Sequence, residues 1–294
     1  KTIRFCSSRE TSPDHLDLIA DQRREHAFLS ALFAYVRADA AVWDTLEFEG
    51  ISEQSLLITE LHSQLNHGFL IDLFPSSVCP YLALQGTYRN YEKTFTPRKR
   101  SALTRKRKAL LIREQAHYRE IQHPDQIDAG MQQLFLLHAE RASAKGIQTA
   151  FCGSDAYRFH QQLMKAYLPQ KKVLLAFLDK GTTPLASYYC FRHNNKYSYY
   201  QTGISEAGER RSAGTVLLSL IIERAFEEGC TEFDFLQGDE TYKKYWAKHA
   251  RKTWTVTIYK DNPLERFRLG AGVFLRQAKS LLKRLSPLHA GGES

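Results

Sequence analysis

The sequence has no uninterrupted apolar run of the roughly 20 residues that a membrane-spanning helix needs. Cysteine is sparse: Cys6, Cys79, Cys152, Cys190 and Cys230 are scattered, odd in number and without a C-x-x-C pair. That pattern argues against a disulfide framework and against a zinc site. Histidine is present 11 times. None pairs with a second histidine or a carboxylate at metal-ligand spacing, so no metal is expected, and no Ser-His-Asp arrangement stands out. Residues 1–5 are not followed by the apolar stretch of a secretory signal. Together with the cysteine usage this makes the cytoplasm the expected location. The chain opens on Lys1 rather than Met, so a fragment or a processed form is expected. Low-complexity tracts and short-period repeats are lacking.

What remains is ordinary globular composition. Apolar residues make up 43% and charged residues 25%, which excludes global disorder. A length of 294 residues suits two units. The net charge of +9 points to an anionic partner: a phosphate-bearing ligand, a membrane surface or a nucleic acid. Solubility alone is the plainer explanation.

Periodicity predicts strand, helix, strand, helix, strand over the first ninety residues, at 2–6, 26–36, 43–48, 52–65 and 68–74, with Ser52 as a cap and Pro75 as a stop. Helices follow at 87–95 and 97–113. The second is strongly basic, with Arg98, Lys99, Arg100, Arg105, Lys106, Arg107, Lys108 and Arg113 and no acidic residue. A domain boundary is expected here. Beyond it the pattern reads as a strand at 118–122, helices at 124–144 and 154–168, and strands at 173–178, 185–192 and 197–202. Then come a helix at 213–228 closed by Gly229, a strand at 232–236, a short helix at 242–248 and a strand at 253–259. Three antiparallel strands followed by a helical crossover require a last strand that pairs in parallel.

Two stretches carry chemistry. Residues 203–216, GISEAGERRSAGTV, lead from a strand through a loop of small and basic residues into an apolar helix. Amides at a helix start, aided by the helix dipole, bind phosphate. Arg210, Arg211, Ser212, Ala213, Gly214 and Thr215 are therefore candidate donor-phosphate residues, with an ordinary loop capped by Ser212 as the alternative. Residues 233–246, FDFLQGDETYKKYW, deliver Asp234 on a strand, turn at Gly238, and present Asp239, Glu240, Tyr242, Lys243 and Trp246 on the next helix. Carboxylates, a phenol, an amine and an indole at the carboxyl end of a strand suit a ligand site. The alternative is Asp239 as a helix cap and Trp246 as core.

The element order of 115–260, the R-R-S-A-G-T loop and the G-D-E-T-Y-K-K-Y-W motif together resemble the GNAT superfamily of acyltransferases, and within it the BioF2-like (CelD/BcsL) acetyltransferase family. The D-F-x-x-G-D-x-x-Y-K-x-x-W pattern of that family is matched at Asp234, Phe235, Gly238, Asp239, Tyr242, Lys243 and Trp246. Fainter likeness extends to K-T-I-R-F at the start, Trp43–Asp44 and Pro80–Tyr81–Leu82. The donor loop departs from the GNAT pattern Q/R-x-x-G-x-G/A: Arg211 and Gly214 align, and the final small residue is Val216.

The resemblance implies a GNAT fold, an α/β (α+β) architecture with a mixed, mostly antiparallel sheet flanked by helices. It also implies a partial or degenerate GNAT-like half at 1–96, a basic linker helix at 97–114, the acyltransferase domain at 115–262 and an amphipathic helix and tail at 263–294. The implied donor is acetyl-CoA or another acyl-CoA, the acceptor an amine or hydroxyl compound, and the setting exopolysaccharide or cell-envelope metabolism. Asp239 or Glu240 is the expected base and Tyr242 or Tyr200 the expected acid. Lys243 belongs to the same catalytic set, and Asp234, Gly238 and Trp246 to the acceptor side. One rival is a FemAB-like aminoacyl transferase using aminoacyl-tRNA, for which the basic helix would serve RNA phosphates. No long charged helical hairpin of the kind carried by those enzymes is found, so nucleic acid is disfavoured. A second rival is a non-catalytic module for a glycan or lipid carrier.

The last helix, 264–285, aligns Phe267, Ala271, Phe274, Leu275, Ala278, Leu281, Leu282 and Leu285 on one face. Docking of that face onto the protein's own first half or a second subunit is the expectation, with peripheral contact with an anionic membrane as the alternative.

Overall fold

The computed structural model describes the chain except for residues 7–13, 40, 65–67 and 286–294. Strand β1 (Thr2–Arg4) is followed by α1 (Glu25–Ala38), β2 (Thr45–Ser52), α2 (Leu56–Gln64) and a long β3 (Phe69–Ala83). Next come α3 (Tyr88–Lys93) and α4 (Pro97–Arg107), each opened by a threonine oxygen that accepts an amide, Thr87 from Asn90 and Thr96 from Lys99. Helix α4 widens into a π turn over Lys108–Arg113, where the Glu114 amide reaches back to the Ala109 carbonyl. The chain continues through β4 (His117–Glu120), α5 (Ile127–Ala144), α6 (Ser154–Tyr167), β5 (Val173–Lys180), β6 (Thr183–His193) and β7 (Lys196–Ile204). It ends with α7 (Glu206–Arg210), α8 (Ala213–Glu227), β8 (Glu232–Asp234), α9 (Thr241–Trp246), β9 (His249–Lys260) and α10 (Pro263–Leu285).

Several elements depart from the periodicity reading. Strand β3 passes through Pro75 and Pro80 instead of stopping at the first. Proline is tolerated in a strand where no amide is needed, and Pro80 contributes its carbonyl, which accepts from the Phe235 amide at 2.9 Å. Ser52 stays in β2 rather than capping a helix. Ser55 takes that role for α2, its hydroxyl accepting the Leu57 amide at 3.1 Å. Helix α7 was read as loop.

The residues group into two compact units, one of Lys1–Ser7, Pro13–Ser76 and Lys252–Ser294, the other of Ser8–Ser12 and Ser77–Arg251. The boundary expected near residue 97 thus falls inside the second unit. The segment 97–114 is part of that unit's core: Leu103 and Leu110 are buried, and Arg107 donates to Glu223 of α8 at 2.6 Å.

In the first unit the strands lie in the order β1-β2-β9-β3, β1 parallel and β9 antiparallel to β2. Leu29, Phe33, Leu57 and Leu61 of α1 and α2 pack with Trp43, Leu46, Val256 and Ile258. Helix α10 is held by Arg276, which donates to both oxygens of Asp72 at 2.6 and 2.8 Å and lies 4.1 Å from the centre of the Phe74 ring. Of the apolar face expected to dock, the large described residues are turned outward: Phe267 is 75%, Phe274 70% and Leu275 58% exposed, as is the neighbouring Leu264 at 58%. The charge pair, not the apolar stripe, sets the rotation of this helix. The side chains of Leu281, Leu282 and Leu285 lie outside the described residues.

In the second unit the order is β3-β8-β7-β6-β5-β4. Only β7 and β8 pair in parallel; the other pairs are antiparallel. Helices α3, α4 and α8 cover one face and α5 and α6 the other. Strand β5 is buried from Val173 to Asp179, which is why its sequence runs apolar without alternation. The result is the expected fold class, a mostly antiparallel mixed sheet between helices. Gly203 on β7 positions α5: a Cβ there would lie 2.5 Å from Leu137 Cβ and 2.8 Å from the His138 nitrogen. Its absence lets the two backbones touch and carries Arg141, one turn on, toward the end of β7.

Candidate active site

The candidate residues all belong to the second unit. Strands β7 and β8 pair only over Lys196–Ser198 and Glu232–Asp234. Beyond that point β7 stays with β6. The chain after β8 stays with β3, through the Phe235 amide to Pro80 and the Gly238 amide to Val78, both 2.9 Å. The two strands therefore part after Ser198 and Asp234. Strand β7 also carries a bulge. Gln201 faces Tyr189 and Tyr199 faces Cys190, leaving Tyr200 as the additional residue. A bulge takes backbone out of the ladder and re-aims side chains, and it is common beside active sites.

Three tyrosines gather at this divergence, on the α8 face. The Tyr188 and Tyr199 rings are 5.0 Å apart, and the Tyr199 and Tyr242 rings 6.3 Å. The Tyr242 hydroxyl donates to that of Tyr199 at 3.2 Å. Burial raises all three phenols above the ordinary tyrosine range, neighbouring tyrosines add to this, and the charge of Arg141 opposes it. The phenols are thus protonated at neutral pH and able to donate hydrogen bonds. Arg141 reaches Glu209 of α7 at 3.7 Å, beside Lys145 at 3.3 Å from the same oxygen. The buried Nε of Arg141 has no hydrogen-bond partner.

The donor loop is more ordered than its sequence indicates. Ser205 caps α7 by accepting the Gly208 amide at 3.1 Å. Gly208 is obligatory there, since a Cβ would meet the Leu185 carbonyl oxygen at 2.0 Å. Arg210 pairs with Glu206. Arg211 donates to Glu114 at 2.9 Å and to the Ala207 carbonyl at 3.0 Å. Ser212 takes a left-handed conformation, φ 58°, and its side chain makes no capping bond to α8. Ala213 and Gly214 are buried and Thr215 is half-buried. A Cβ on Gly214 would lie 2.5 Å from Ile204 Cδ1 and 3.8 Å from the Tyr188 hydroxyl. This glycine therefore seats the first turn of α8 on β7, next to the tyrosine cluster.

The second motif divides into a rim and a core. Asp239 is exposed and pairs with Lys244 at 2.8 Å; Glu240 pairs with Lys243 at 3.1 Å. Lys243 is buried and its ammonium also donates to the Gln237 carbonyl. Gly238, φ +126°, leaves room for that lysine, because a Cβ would come within 2.7 Å of Nζ. Asp234 is buried, accepts the Leu236 amide at 2.8 Å and faces Arg251 at 3.4 Å, so it shapes the turn. The Trp246 ring is buried against Phe95, and its carbonyl accepts from the Tyr91 hydroxyl at 2.6 Å. The carbonyl of Tyr245 accepts from Lys99, whose ammonium sits 3.6 Å from the Phe95 ring centre and 3.9 Å from that of Tyr245. Burial pulls Lys99 down to about 8.

The structure thus brings Tyr242, Gly214 and the end of β7 together. Tyr200 sits apart from them, on the α5 and α6 face, its hydroxyl 3.2 Å from His160 Nε2. His160 is buried, and burial lowers it to about 4. Arg141, Glu209, Tyr188 and Tyr199 were missed in the sequence. The adjacent pairs Tyr188–Tyr189 and Tyr199–Tyr200 do not say which member faces α8, and Arg141 is a lone arginine on a polar helix end. Among the described residues no three of His, Cys, Asp and Glu form a metal-ligand group, and no helix is long and apolar enough to cross a membrane.

A family model described as acetyltransferase (GNAT) domain matches residues 97–244. No curated protein matches the sequence. Among solved structures the chain is similar to FemX, with 12% identity, TM-score 0.59, and 86% of this chain and 81% of that one covered. It is also similar to L-PGS from Bacillus licheniformis, with 14% identity, TM-score 0.54, and coverage of 87% and 79%. A third is the C-terminal DUF2156 domain of an Agrobacterium fabrum protein assigned as a lysylphosphatidylglycerol synthetase, with 13% identity, TM-score 0.56, and coverage of 79% and 74%. At these identities the likeness is one of fold.

Proposed function

Since the chain belongs to the acetyltransferase (GNAT) domain family, we propose that it moves an acetyl or other acyl group from acyl-CoA to an amine or hydroxyl acceptor. The observation that carries this is the parting of β7 and β8 beside three protonated tyrosines and the first turn of α8. The thioester arm would lie in the parting. The start of α8, with Ser212 and Thr215, would face the pyrophosphate, and Arg210 and Arg211 would exchange their carboxylates for it. The acceptor's nitrogen or oxygen attacks the thioester carbon, and backbone amides at the bulge stabilise the developing oxyanion. The C–S bond then breaks, and Tyr242 gives its proton to the leaving thiolate. Asp239 or Glu240, both at the rim, would accept the acceptor's proton through water.

The likeness to BioF2-like proteins, carried by the D-F-x-x-G-D-x-x-Y-K-x-x-W match, favours a cell-envelope or exopolysaccharide acceptor and a cytoplasmic donor pool. A second reading has its own support. Arg98, Arg105, Lys108 and Arg113 are exposed on the basic helix, and the fold neighbours include FemX and lysylphosphatidylglycerol synthetases. Both features suit an aminoacyl donor carried on tRNA. Titration calorimetry with acetyl-CoA and, separately, with charged tRNA distinguishes them. Saturable heat with acetyl-CoA alone supports the acyl-CoA reading; binding of charged tRNA alone replaces it.

A further inference from the structure

Helix α10 presents an uncovered apolar stripe. Leu264, Phe267, Phe274 and Leu275 are 58%, 75%, 70% and 58% exposed, and Ala271 is exposed between them. At helical spacing the stripe continues through Ala278, Leu281, Leu282 and Leu285. The orientation has a stated cause. The Arg276–Asp72 pair, with Arg276 over Phe74, holds the opposite side of the helix against the first unit. Large exposed apolar patches rimmed by charge mark interaction surfaces.

Charge selects the occupant. The helix carries Arg266, Arg268, Arg276, Lys279, Lys283 and Arg284 against a single acid, Glu265. Asp261 and Glu265 pair with Arg266 and Arg268, and no acidic residue follows Glu265 within the helix. A second copy of this face would bring like charges together. An anionic lipid surface instead accepts the apolar side and attracts the basic flanks.

We propose that α10 seats the protein on anionic membranes, lying in the interface with Phe267 and Phe274 inserted, and that the charge of Lys279, Lys283 and Arg284 draws it to anionic headgroups. The proposal stands apart from the acyl-transfer reading. The test is co-sedimentation of the full chain with phosphatidylcholine vesicles, with and without a minority of phosphatidylglycerol. Binding to the anionic vesicles alone, weakened by salt, is expected. Phe267→Ser with Phe274→Ser should lower partitioning at least about tenfold. Lys279→Glu with Lys283→Glu should lower it by about two orders of magnitude. Circular dichroism and melting temperature should stay at wild-type values in the phenylalanine variant, because both rings are exposed. No binding to anionic vesicles, equal binding by the phenylalanine variant, or a wild-type dimer that Phe274→Ser dissociates would each overturn the proposal.

Discussion

Replacing Tyr242 with Phe tests the site at one atom. The hydroxyl donates to Tyr199 at 3.2 Å, and a buried neutral hydrogen bond of this kind contributes about 0.5–1.5 kcal/mol. For a unit of this size that amounts to a fall of roughly 1–6 °C in melting temperature. As the proton donor to the thiolate, the same hydroxyl accounts for about a hundred- to ten-thousand-fold in turnover. Tyr199→Phe removes the same hydrogen bond but keeps the phenol at 242. It should cost a similar few degrees and no more than about tenfold in rate. The assay is release of thiol from acetyl-CoA in the presence of a panel of amine and hydroxyl acceptors, beside thermal melts of both variants. Because burial holds the Tyr242 proton well into the alkaline range, wild-type turnover should show no alkaline limb near neutrality from this group. If the two variants lose rate equally, or if Tyr242→Phe turns over like wild type while melting lower, Tyr242 is a packing residue and the acid lies elsewhere.

Other residues give equally direct expectations. His160 is held neutral with its folded value lowered to about 4, so the unfolded chain takes up the proton first as pH falls below about 6.5. Its contribution is intact above that value and is lost progressively toward pH 4, up to about 3 kcal/mol at roughly 1.4 kcal/mol per unit. His160→Gln cannot titrate and should therefore melt with a shallower acid dependence; an unchanged slope would show that the imidazole is not the buried neutral group. Gly208→Ala forces a Cβ onto the Leu185 carbonyl and should destabilise by more than the roughly 1 kcal/mol typical of single substitutions. A soluble variant with a wild-type melting curve would mean that α7 shifts freely. Arg211→Ala should weaken acetyl-CoA binding by about 1–3 kcal/mol in calorimetry. Equal affinity would leave Arg211 as the partner of Glu114 alone.

The second half of the fold was legible because its signals are local and agree with one another. A continuous apolar run marks β5, Gly229 closes α8, and two compact motifs flank the crossover. What stayed hidden depends on partners distant in sequence. Strand β3 survives two prolines because β8 takes a carbonyl from Pro80, which no local rule can anticipate. Helix α7 exists because Glu206 can pair with Arg210 and Ser205 can cap it, within a loop that composition alone describes as small and basic. Arg141 enters the site only because Gly203, more than sixty positions away, lets α5 close onto β7. The outward turn of the α10 apolar face was hidden for the same reason. Its apolar stripe is a local pattern, and the Arg276–Asp72 salt bridge that orients it joins residues far apart in the chain.

The extra residue at Tyr200 also has a consequence for how this strand can vary. A strand has parity: odd and even positions face opposite ways. At Tyr200 that parity changes, so Tyr199 and Thr202 share a face although three positions separate them. The two halves of β7 are thereby uncoupled. Deleting Tyr200 would restore the regular alternation, because Tyr199 would still face Cys190 and Gln201 would still face Tyr189, so no residue on either side changes face. A one-residue deletion at this position should therefore straighten the strand and remove the contact of Tyr200 with His160, while Tyr197 and Tyr199 keep their places in the core below α8. Sequences related to this one that lack the residue could keep the same aromatic and small side chains along residues 196–199 and the same core.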